Sequence, residues 1–140
     1  MARKIAAGFL ATLTALMALT NCSSETYSQP EMCGGRLPRW LAPSAGIGEL
    51  AILQPITLTK KDGVRWNERQ IDEQTLDRYL QLSSKMDTPL QFVLRVENGA
   101  NCEKVRRVRG MMESALQCRK FGGCGEGMGW RRWPGAKPEA

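Results

Sequence analysis

Two stretches decide the fold: PITLTKKDGVRWNERQIDEQTLDRYL at residues 55–80 and QFVLRVENGANCEKVRRVRGMME at residues 91–113. In the first, apolar and polar residues alternate on both sides of Asp62-Gly63, a dipeptide typical of tight reversals between strands. This pattern predicts a β-hairpin over residues 56–67. One face of the hairpin is expected to carry Ile56, Leu58, Val64 and Trp66.

A helix signal follows each predicted strand region. Asp72 stands at the position of an N-cap, and the first turn after it is acidic, which suits the positive end of a helix. The apolar stripe of this helix is predicted to be Leu76, Tyr79, Leu80, Ser83 and Met86. Residues 91–96 form a strand, and a second helix starts at the cap Asn101. Its apolar side is predicted to be Val105, Val108, Met112, Ala115 and Leu116.

The body of the protein is therefore predicted to be an α+β domain over residues 49–116. Residues 49–53 form a further short apolar run, which Pro55 is expected to break. The expected order is β-β-β-α-β-α, with a small sheet of three to four strands packed by two helices. Residues 117–140 read as a glycine-rich disulfide loop and a basic tail.

The N-terminal segment has the layout of an export signal. A short basic start with Arg3 and Lys4 leads into the uncharged run IAAGFLATLTALMAL at residues 5–19. A permanent membrane span would need about 20 predominantly apolar residues, and polar residues interrupt this run too soon. Residues 1–21 are therefore predicted to be a signal peptide, so that the protein is exported to the periplasm.

The sequence Leu19-Thr20-Asn21-Cys22 resembles the lipobox of bacterial lipoproteins, in which a leucine stands three residues before a lipidated cysteine. The resemblance implies lipid attachment at Cys22 and anchoring to a membrane, with the outer membrane favoured because Ser23 gives no inner-membrane retention signal. Asn21 departs from the small residue usual in that place. Cleavage by an ordinary signal peptidase near Ser24, which would release a soluble protein, is the alternative.

Residues 22–48 are predicted to be a tether and wrapping arm. Pro38 and Pro43 exclude a regular helix there, and the composition suits either a disordered linker or a segment that packs on the domain. Trp40 and Cys33 favour packing of the second half.

The five cysteines are odd in number, which fits lipidation of Cys22 and leaves four to pair. Cys118 and Cys124 enclose a short glycine-rich loop and are expected to pair, so that Cys33 pairs with Cys102. A four-cysteine zinc site is the competing interpretation, but the chain has no tight C-x-x-C pair. We therefore predict two disulfides and no metal.

The charged and aromatic residues limit the possible functions. The chain contains no histidine, which excludes Ser-His and Cys-His nucleophile pairs, and no set of carboxylates has a useful catalytic spacing. The net charge is +6, but residues 49–116 hold 11 basic and 10 acidic side chains. The basic residues of the second helix are accordingly read as a solvated face, and no nucleic acid is expected.

The tail contains Trp130, Arg131, Arg132 and Trp133, which could contact a membrane surface or another protein. Packing of one tryptophan on the domain is the alternative. The glycines at residues 122–127 lack the Lys-Ser/Thr of a phosphate-binding loop, so no nucleotide or other cofactor is predicted.

Residues 55–80 and 91–113 also resemble the periplasmic domain of the ExbD/TolR biopolymer-transport family. The matching features are Asp62-Gly63, Trp66-Asn67, residues 76–80, residues 95–97 and residues 105–112. The resemblance implies a small α+β envelope domain. That family begins with a transmembrane helix bearing an aspartate, whereas residues 5–19 here contain no carboxylate.

Taken together, these features predict a non-catalytic cell-envelope lipoprotein that acts through protein–protein interaction or self-association in the periplasm. The expected pairing surface is an exposed strand edge near residues 49–60. A peptidoglycan-binding envelope module is the alternative function, and a groove with clustered Arg, Asn and Trp would support it.

Overall fold

The computed structural model describes residues 32–132. The predictions about the signal peptide, Cys22 and Trp133 fall outside this range. Between residues 32 and 132, no helix has both the length and the apolar composition needed to span a membrane.

The fold is α+β, with a five-stranded open sheet and three helices. The sheet order is β3-β2-β1-β4-β5. The strands β1 and β2, and β2 and β3, pair antiparallel, while β4 is parallel to both β1 and β5. The strands are β1 (Ile52–Leu58), β2 (Val64–Trp66), β3 (Arg69–Ile71), β4 (Leu90–Val96) and β5 (Cys124–Glu126), and the helices are α1 (Glu73–Ser83), α2 (Cys102–Leu116) and α3 (Cys118–Phe121).

The expectation that Pro55 would break the first strand is wrong, because β1 runs through it. The N and C=O groups of a strand residue lie on the same edge, and the Pro55 carbonyl accepts from the Asn67 N–H at 3.0 Å, on the β2 side. The missing N–H of the proline therefore falls where β2 has already ended. The hydrogen bonds between β1 and β4 remain intact along the whole strand.

The strand β3 was not predicted, and it follows β2 through a two-residue turn. Asn67 and Glu68 both have positive φ values, 47° and 65°, which is the conformation of a type I′ hairpin turn. Glu68 occupies a position where glycine would be favoured, and the turn forms nonetheless. The predicted hairpin thus continues into a three-stranded meander.

Both predicted helix caps are present. The Asp72 carboxylate accepts from the Thr75 N–H at 2.6 Å, and this hydrogen bond holds the pKa of Asp72 below its usual value. Asn101 accepts from the N–H groups of Glu103 and Lys104 at 2.9 and 3.3 Å. The caps satisfy N–H groups that have no partner inside the helix.

The main core lies between the sheet and the helices α1 and α2. It contains the four residues predicted for one face of the hairpin, of which Trp66 is partly buried and packs edge-on against Tyr79 at 5.5 Å between ring centroids. Most residues of the predicted helix stripes are buried, Tyr79, Ser83 and Leu116 are partly buried, and Met86 lies beyond the end of α1 and is 55% exposed. The fully buried centre comprises Ile56, Leu58, Leu76, Leu80, Leu94, Val105, Val108 and Met112.

The region after α2 contains further helical and strand structure, which was not predicted. Cys124–Glu126 forms the fifth strand, and α3 connects it to α2. The outer edge of β5 is covered by the arm: Leu41 donates to the Cys124 carbonyl at 2.8 Å, and its own carbonyl accepts from the Glu126 N–H at 3.0 Å. Within the described residues, the arm therefore packs on the domain.

The arm passes round this edge and covers part of the second face of the sheet. A small cluster of Ile47, Val93 and Trp130 lies there, with Leu41, Ala51 and Leu53 packed against it. Ile47 also pairs in parallel with Arg132. This cover is irregular in structure, unlike the helical cover of the first face.

The structure contains two disulfides, in the pairing expected from the sequence. Cys33 is bonded to Cys102 and ties the arm to the first turn of α2, while Cys118 is bonded to Cys124 and ties α3 to β5. A buried ion pair joins the same elements, because Arg109 of α2 bonds to Glu126 at 2.5 and 3.0 Å and donates to the Cys33 carbonyl at 2.8 Å.

Candidate functional site

The second face of the sheet is polar at the end that holds the β1–β2 hairpin. The strand register places Gln70, Arg65, Thr57 and Arg95 in one row across β3, β2, β1 and β4, and alternation along the strands directs them away from the helices. The cover formed by Ile47 and Trp130 packs around Val93, two residues before Arg95 on β4. The polar row is the candidate functional surface because it brings two arginines together on one face.

The hairpin turn beside this row has the predicted position but a different conformation. Asp62, not Gly63, adopts the left-handed region, with a φ of 58°. The Thr59 hydroxyl accepts from the Gly63 N–H at 2.9 Å, and a side-chain carbon on Gly63 would lie 2.8 Å from that hydroxyl oxygen. Glycine is therefore required here for close approach of the Thr59 side chain rather than for backbone freedom.

A cavity of about 320 Å³ lies between the turn and the polar row; we call it the hairpin cavity. It contains three cationic side chains and one carboxylate. No aromatic residue contributes to its wall. The lining residues are Thr59, Lys60, Lys61, Gly63, Arg65, Gln70 and Glu97.

The three cations of the hairpin cavity have no acidic partner within residues 32–132. The side chains of Lys60, Lys61 and Arg65 form no hydrogen bond or ion pair there, although Arg65 is partly buried. The Glu97 carboxylate accepts from the backbone N–H of Lys60 at 3.1 Å. By contrast Arg95, in the same row, is paired with Glu68 at 3.2 Å. The arginine that lines the cavity is thus the one in this row without an acidic partner among the described residues.

The tip of the hairpin is held in place by α2. The Lys104 ammonium donates to the Asp62 carbonyl and lies 3.6 Å from the Glu73 carboxylate. Arg107 donates two hydrogen bonds to Glu73, at 3.2 and 3.3 Å, and these bonds lower the pKa of Glu73 and raise that of Arg107. The hairpin cavity is therefore built on a braced turn.

Three of the four tail residues predicted as a possible surface contact, Trp130, Arg131 and Arg132, lie within the described range. Trp130 is buried, with 9% of its surface exposed, so the prediction is wrong for it and the packed alternative holds. Arg132 donates to the carbonyls of Gly48, Glu49 and Ala51. Arg131 is exposed. The guanidinium of Arg132 is thus used to hold the arm.

The predicted strand edge near residues 49–60 is open only in part: β4 pairs with β1 along its whole length, whereas β2 pairs with residues 56–58, so among the described strands none pairs with residues 52–54 on the β2 side. The edge strands are β3 and β5, and Leu41 covers the outer side of β5. No further strand within the described residues pairs with the outer side of β3. The outer edge of β3 is therefore next to the hairpin cavity, because Gln70 lies on β3 and also lines the cavity.

The basic residues of α2 are mostly engaged within the domain. Arg107 pairs with Glu73 and with Glu103, and Arg109 is 4% exposed in its pair with Glu126. The prediction missed Arg109, which was not distinguished from its charged neighbours. Its position three to four residues from Val105 and Met112, on the apolar side of α2, is the signal that could have identified it.

A second cavity, of about 310 Å³, lies at the other end of the molecule, between the C-terminal ends of α1 and α2 and the start of β4. Leu90, Phe92, Leu116 and Phe121 contribute to its walls, and Phe121 is 70% exposed. We call it the end groove. Its walls also include the polar residues Ser83, Ser84, Thr88 and Gln117.

Among residues 32–132, no three cysteine or acidic side chains are grouped as metal ligands, and the four cysteines of this range form the two disulfides.

The chain matches no protein-family model, and no curated protein and no solved structure is significantly similar to it.

Proposed function

We propose that this protein is a non-catalytic binding domain of the cell envelope, exported by residues 1–21, lipid-anchored at Cys22 and engaged with an acidic protein partner through the hairpin cavity. The leader pattern and the lipobox-like sequence support the location. The two disulfides are consistent with it, because disulfides persist in oxidising compartments such as the periplasm.

The observation that carries the binding proposal is the group of three unpaired cations at one cavity. Elsewhere in the described structure several basic side chains have acidic partners, including Arg95, Arg107 and Arg109. Positive groups left unpaired in a concave, uncovered part of the surface attract a complementary negative surface and increase the rate of association. An acidic partner supplies the charges that the domain itself does not provide.

The proposal also includes a relationship to the ExbD/TolR family, supported by the strand, turn and helix pattern of residues 55–113. Such a relationship places the domain beside an envelope machine as a protein-binding module. It does not assign any residue of this chain to energy coupling, because the run at residues 5–19 contains no carboxylate.

The proposed function is tested by cross-linking in intact cells that express the full-length tagged chain. The variant K60E/K61E/R65E reverses the cavity charge, and we expect it to lose at least about tenfold of the cross-linked partner because complementary charge speeds association. The matched control R78E/K85E/R106E changes the net charge by the same amount at exposed helix and loop positions. Equal recovery with the cavity variant and the wild type, or equal loss with the control, would contradict the proposal.

The location is tested separately by mass spectrometry of the mature protein. We expect an N-terminus at Cys22 with added acyl mass. An unmodified N-terminus at Cys22, or one beyond it, removes the lipid anchor from the proposal and leaves the binding function to be judged by the cross-linking experiment.

A peptidoglycan-binding module remains the alternative function, and the arginine in the hairpin cavity favours it to a limited extent. Wall peptides carry carboxylates that Arg65 could bind. The tryptophans Trp40, Trp66 and Trp130 do not line the cavity, so they are not available there to stack on sugars. Recovery of wall fragments without any protein partner in the same cross-linking experiment would favour this function.

A further inference from the structure

We infer that the hairpin cavity is a carboxylate-binding site centred on Arg65, and that the partner fills it with the side chain of an exposed Asp or Glu. This inference rests on the proposed function and specifies which group of the partner enters the cavity. It follows from the position of Arg65, the charge of the walls and the chemical character of the lining.

Among the residues that line the hairpin cavity, Arg65 is the one arginine. It lies between Gln70 on β3 and Thr57 on β1 in the strand register, and it lines the cavity together with Gln70. A guanidinium carries five N–H donors in a fork that matches a carboxylate, and it has no acceptor within residues 32–132. Because the side chain is partly buried, a hydrogen-bonded anion there is screened less than on an open surface.

The charge of the walls selects an anion of low charge. Lys60 and Lys61 add positive charge at the rim, whereas Glu97 contributes one negative charge to the lining. The cavity is thus positive overall and would repel a metal cation. One carboxylate can accept hydrogen bonds from the Arg65 guanidinium, and its single negative charge is smaller than the positive charge of the lining.

The composition of the lining favours a small polar group over a large ligand. Gln70 supplies an amide, the Thr59 hydroxyl and the Gly63 N–H are hydrogen-bonded to each other, and no aromatic side chain is present for base stacking. The volume of about 320 Å³ is at the lower end of the range for ligand pockets. A single acidic side chain with its flanking backbone fits these dimensions and this chemistry.

Arg95 provides an internal contrast. It lies in the same row, on the far side of Thr57, but its guanidinium is already paired with Glu68 at 3.2 Å. The domain therefore neutralises one arginine of the polar row and leaves the other, beside the cavity, without a partner. This difference localises the predicted carboxylate to Arg65 rather than to the whole face.

The test measures fluorescence anisotropy of a labelled acidic peptide, rich in Asp and Glu, with the processed chain purified from the envelope. A peptide with Asn and Gln at the same positions serves as the uncharged control, and inorganic phosphate is added as a competitor. We expect R65Q to weaken binding of the acidic peptide at least about tenfold, because charge-assisted bidentate contacts are the strong ones. We expect R78Q, an exposed arginine on α1, to weaken it less than about twofold, because exposed charges are screened by solvent and salt.

The variant G63A tests the cavity without changing its charge. Its new methyl group would lie 2.8 Å from the Thr59 hydroxyl oxygen and 3.3 Å from the Gln70 amide nitrogen, so it displaces two lining residues. We expect a weaker acidic-peptide affinity at unchanged net charge. Near-ultraviolet circular dichroism shows whether G63A has kept its fold. If G63A is unfolded, the result with R65Q decides the test.

Three outcomes would overturn the inference. If R65Q and R78Q weaken binding of the acidic peptide equally, the peptide is attracted by the net charge of the domain alone. Binding of phosphate without binding of the acidic peptide would assign the cavity to another anion. If the peptide does not bind at all while the cavity variant still loses its partner in cells, the proposed function stands and the carboxylate site does not.

Discussion

The two faces of the sheet are covered by different kinds of structure. One face lies under α1 and α2, whose aliphatic side chains form a continuous core. The other is covered in part by the arm and the segment around Trp130, and the rest carries the polar row and the hairpin cavity. The first cover is held by burial of repeated apolar positions, and the second depends on individual tethers.

This difference explains where function can be located. A helical cover leaves little surface of its sheet face free, because each buried position contributes to folding. The irregular cover ends before the hairpin, so the polar row on this face does not pack in an apolar core. The comparison predicts that the irregular cover is sensitive to the loss of single tethers.

The largest expected effect follows from removal of the disulfide that tethers the arm. Cys33 and Cys102 are 69 residues apart, and in the chain-entropy model a cross-link over such a loop contributes about 4 kcal/mol. We expect C33A/C102A to lose about that amount in urea denaturation, to which the lost packing of the partly buried Cys33 against the core adds.

The second disulfide gives the comparison for this prediction. Cys118 and Cys124 are six residues apart, so the same entropic model gives only about 2 kcal/mol, to which loss of two buried sulfurs adds. A loss well below about 1 kcal/mol for C33A/C102A would show that other contacts already hold the arm, since one or two kcal/mol is a large part of total stability.

The next effect concerns the buried ion pair of Arg109 and Glu126. The change E126Q removes the anion of the pair while Arg109 stays buried, and we expect a loss of about 3 kcal/mol because breaking a buried ion pair at one partner is strongly destabilising. The matched change E68Q breaks the exposed pair with Arg95 and should lose less than about 1 kcal/mol. Equal unfolding midpoints for the two variants would contradict this difference between buried and exposed pairs.

The helical face could be read from the sequence, because its structure follows from local and periodic signals. The hairpin position, the caps Asp72 and Asn101 and most of the two helix stripes agree with the structure. Each of these depends on residues a few positions apart. Periodicity detects such relationships directly.

The irregular face could not be read in the same way, because its contacts join residues distant in the chain. The glycine-rich sequence around residues 124–126 gives no strand pattern, and β5 is a strand because it pairs with β4 and with Leu41. Pro55 appeared to break β1, and only the length of β2 explains why it does not. Trp130 belongs to the core through Val93, which is 37 positions away in the printed sequence.

The candidate site was missed for a related reason. Lys60, Lys61 and Arg65 were visible in the sequence as hairpin residues, but a cation is notable only when its surroundings lack an acidic partner. That property depends on where Glu68 and Glu97 come to lie. The pairing of the strands determines whether a cation has an acidic partner, and the pattern of residues along the chain does not.

A smaller effect is expected from overpacking under Trp130. A methyl group on Gly125 would lie 2.4 Å from the indole ring and 3.0 Å from the Leu41 carbonyl oxygen, so G125A must displace part of the irregular cover. We expect a loss of about 2 kcal/mol, measured by urea denaturation. The control G110A meets no atom within 4 Å on the exposed side of α2 and should gain up to about 1 kcal/mol. A neutral G125A would show that the cover near Trp130 is loosely packed.

The smallest effect is expected on the helical face, at the exposed ion pair that joins α1 to α2. The guanidinium of Arg107 holds the pKa of Glu73 below its ordinary value of 4.5. A lowered folded pKa stabilises the fold above the unfolded pKa, and this contribution is lost as the pH falls through the folded value. The variant E73Q lacks this titration, so the stability difference between wild type and E73Q should shrink between about pH 7 and about pH 3 in urea denaturation. An unchanged difference would mean that Glu73 acts by packing alone, and a change as large as that for E126Q would remove the distinction between exposed and buried ion pairs.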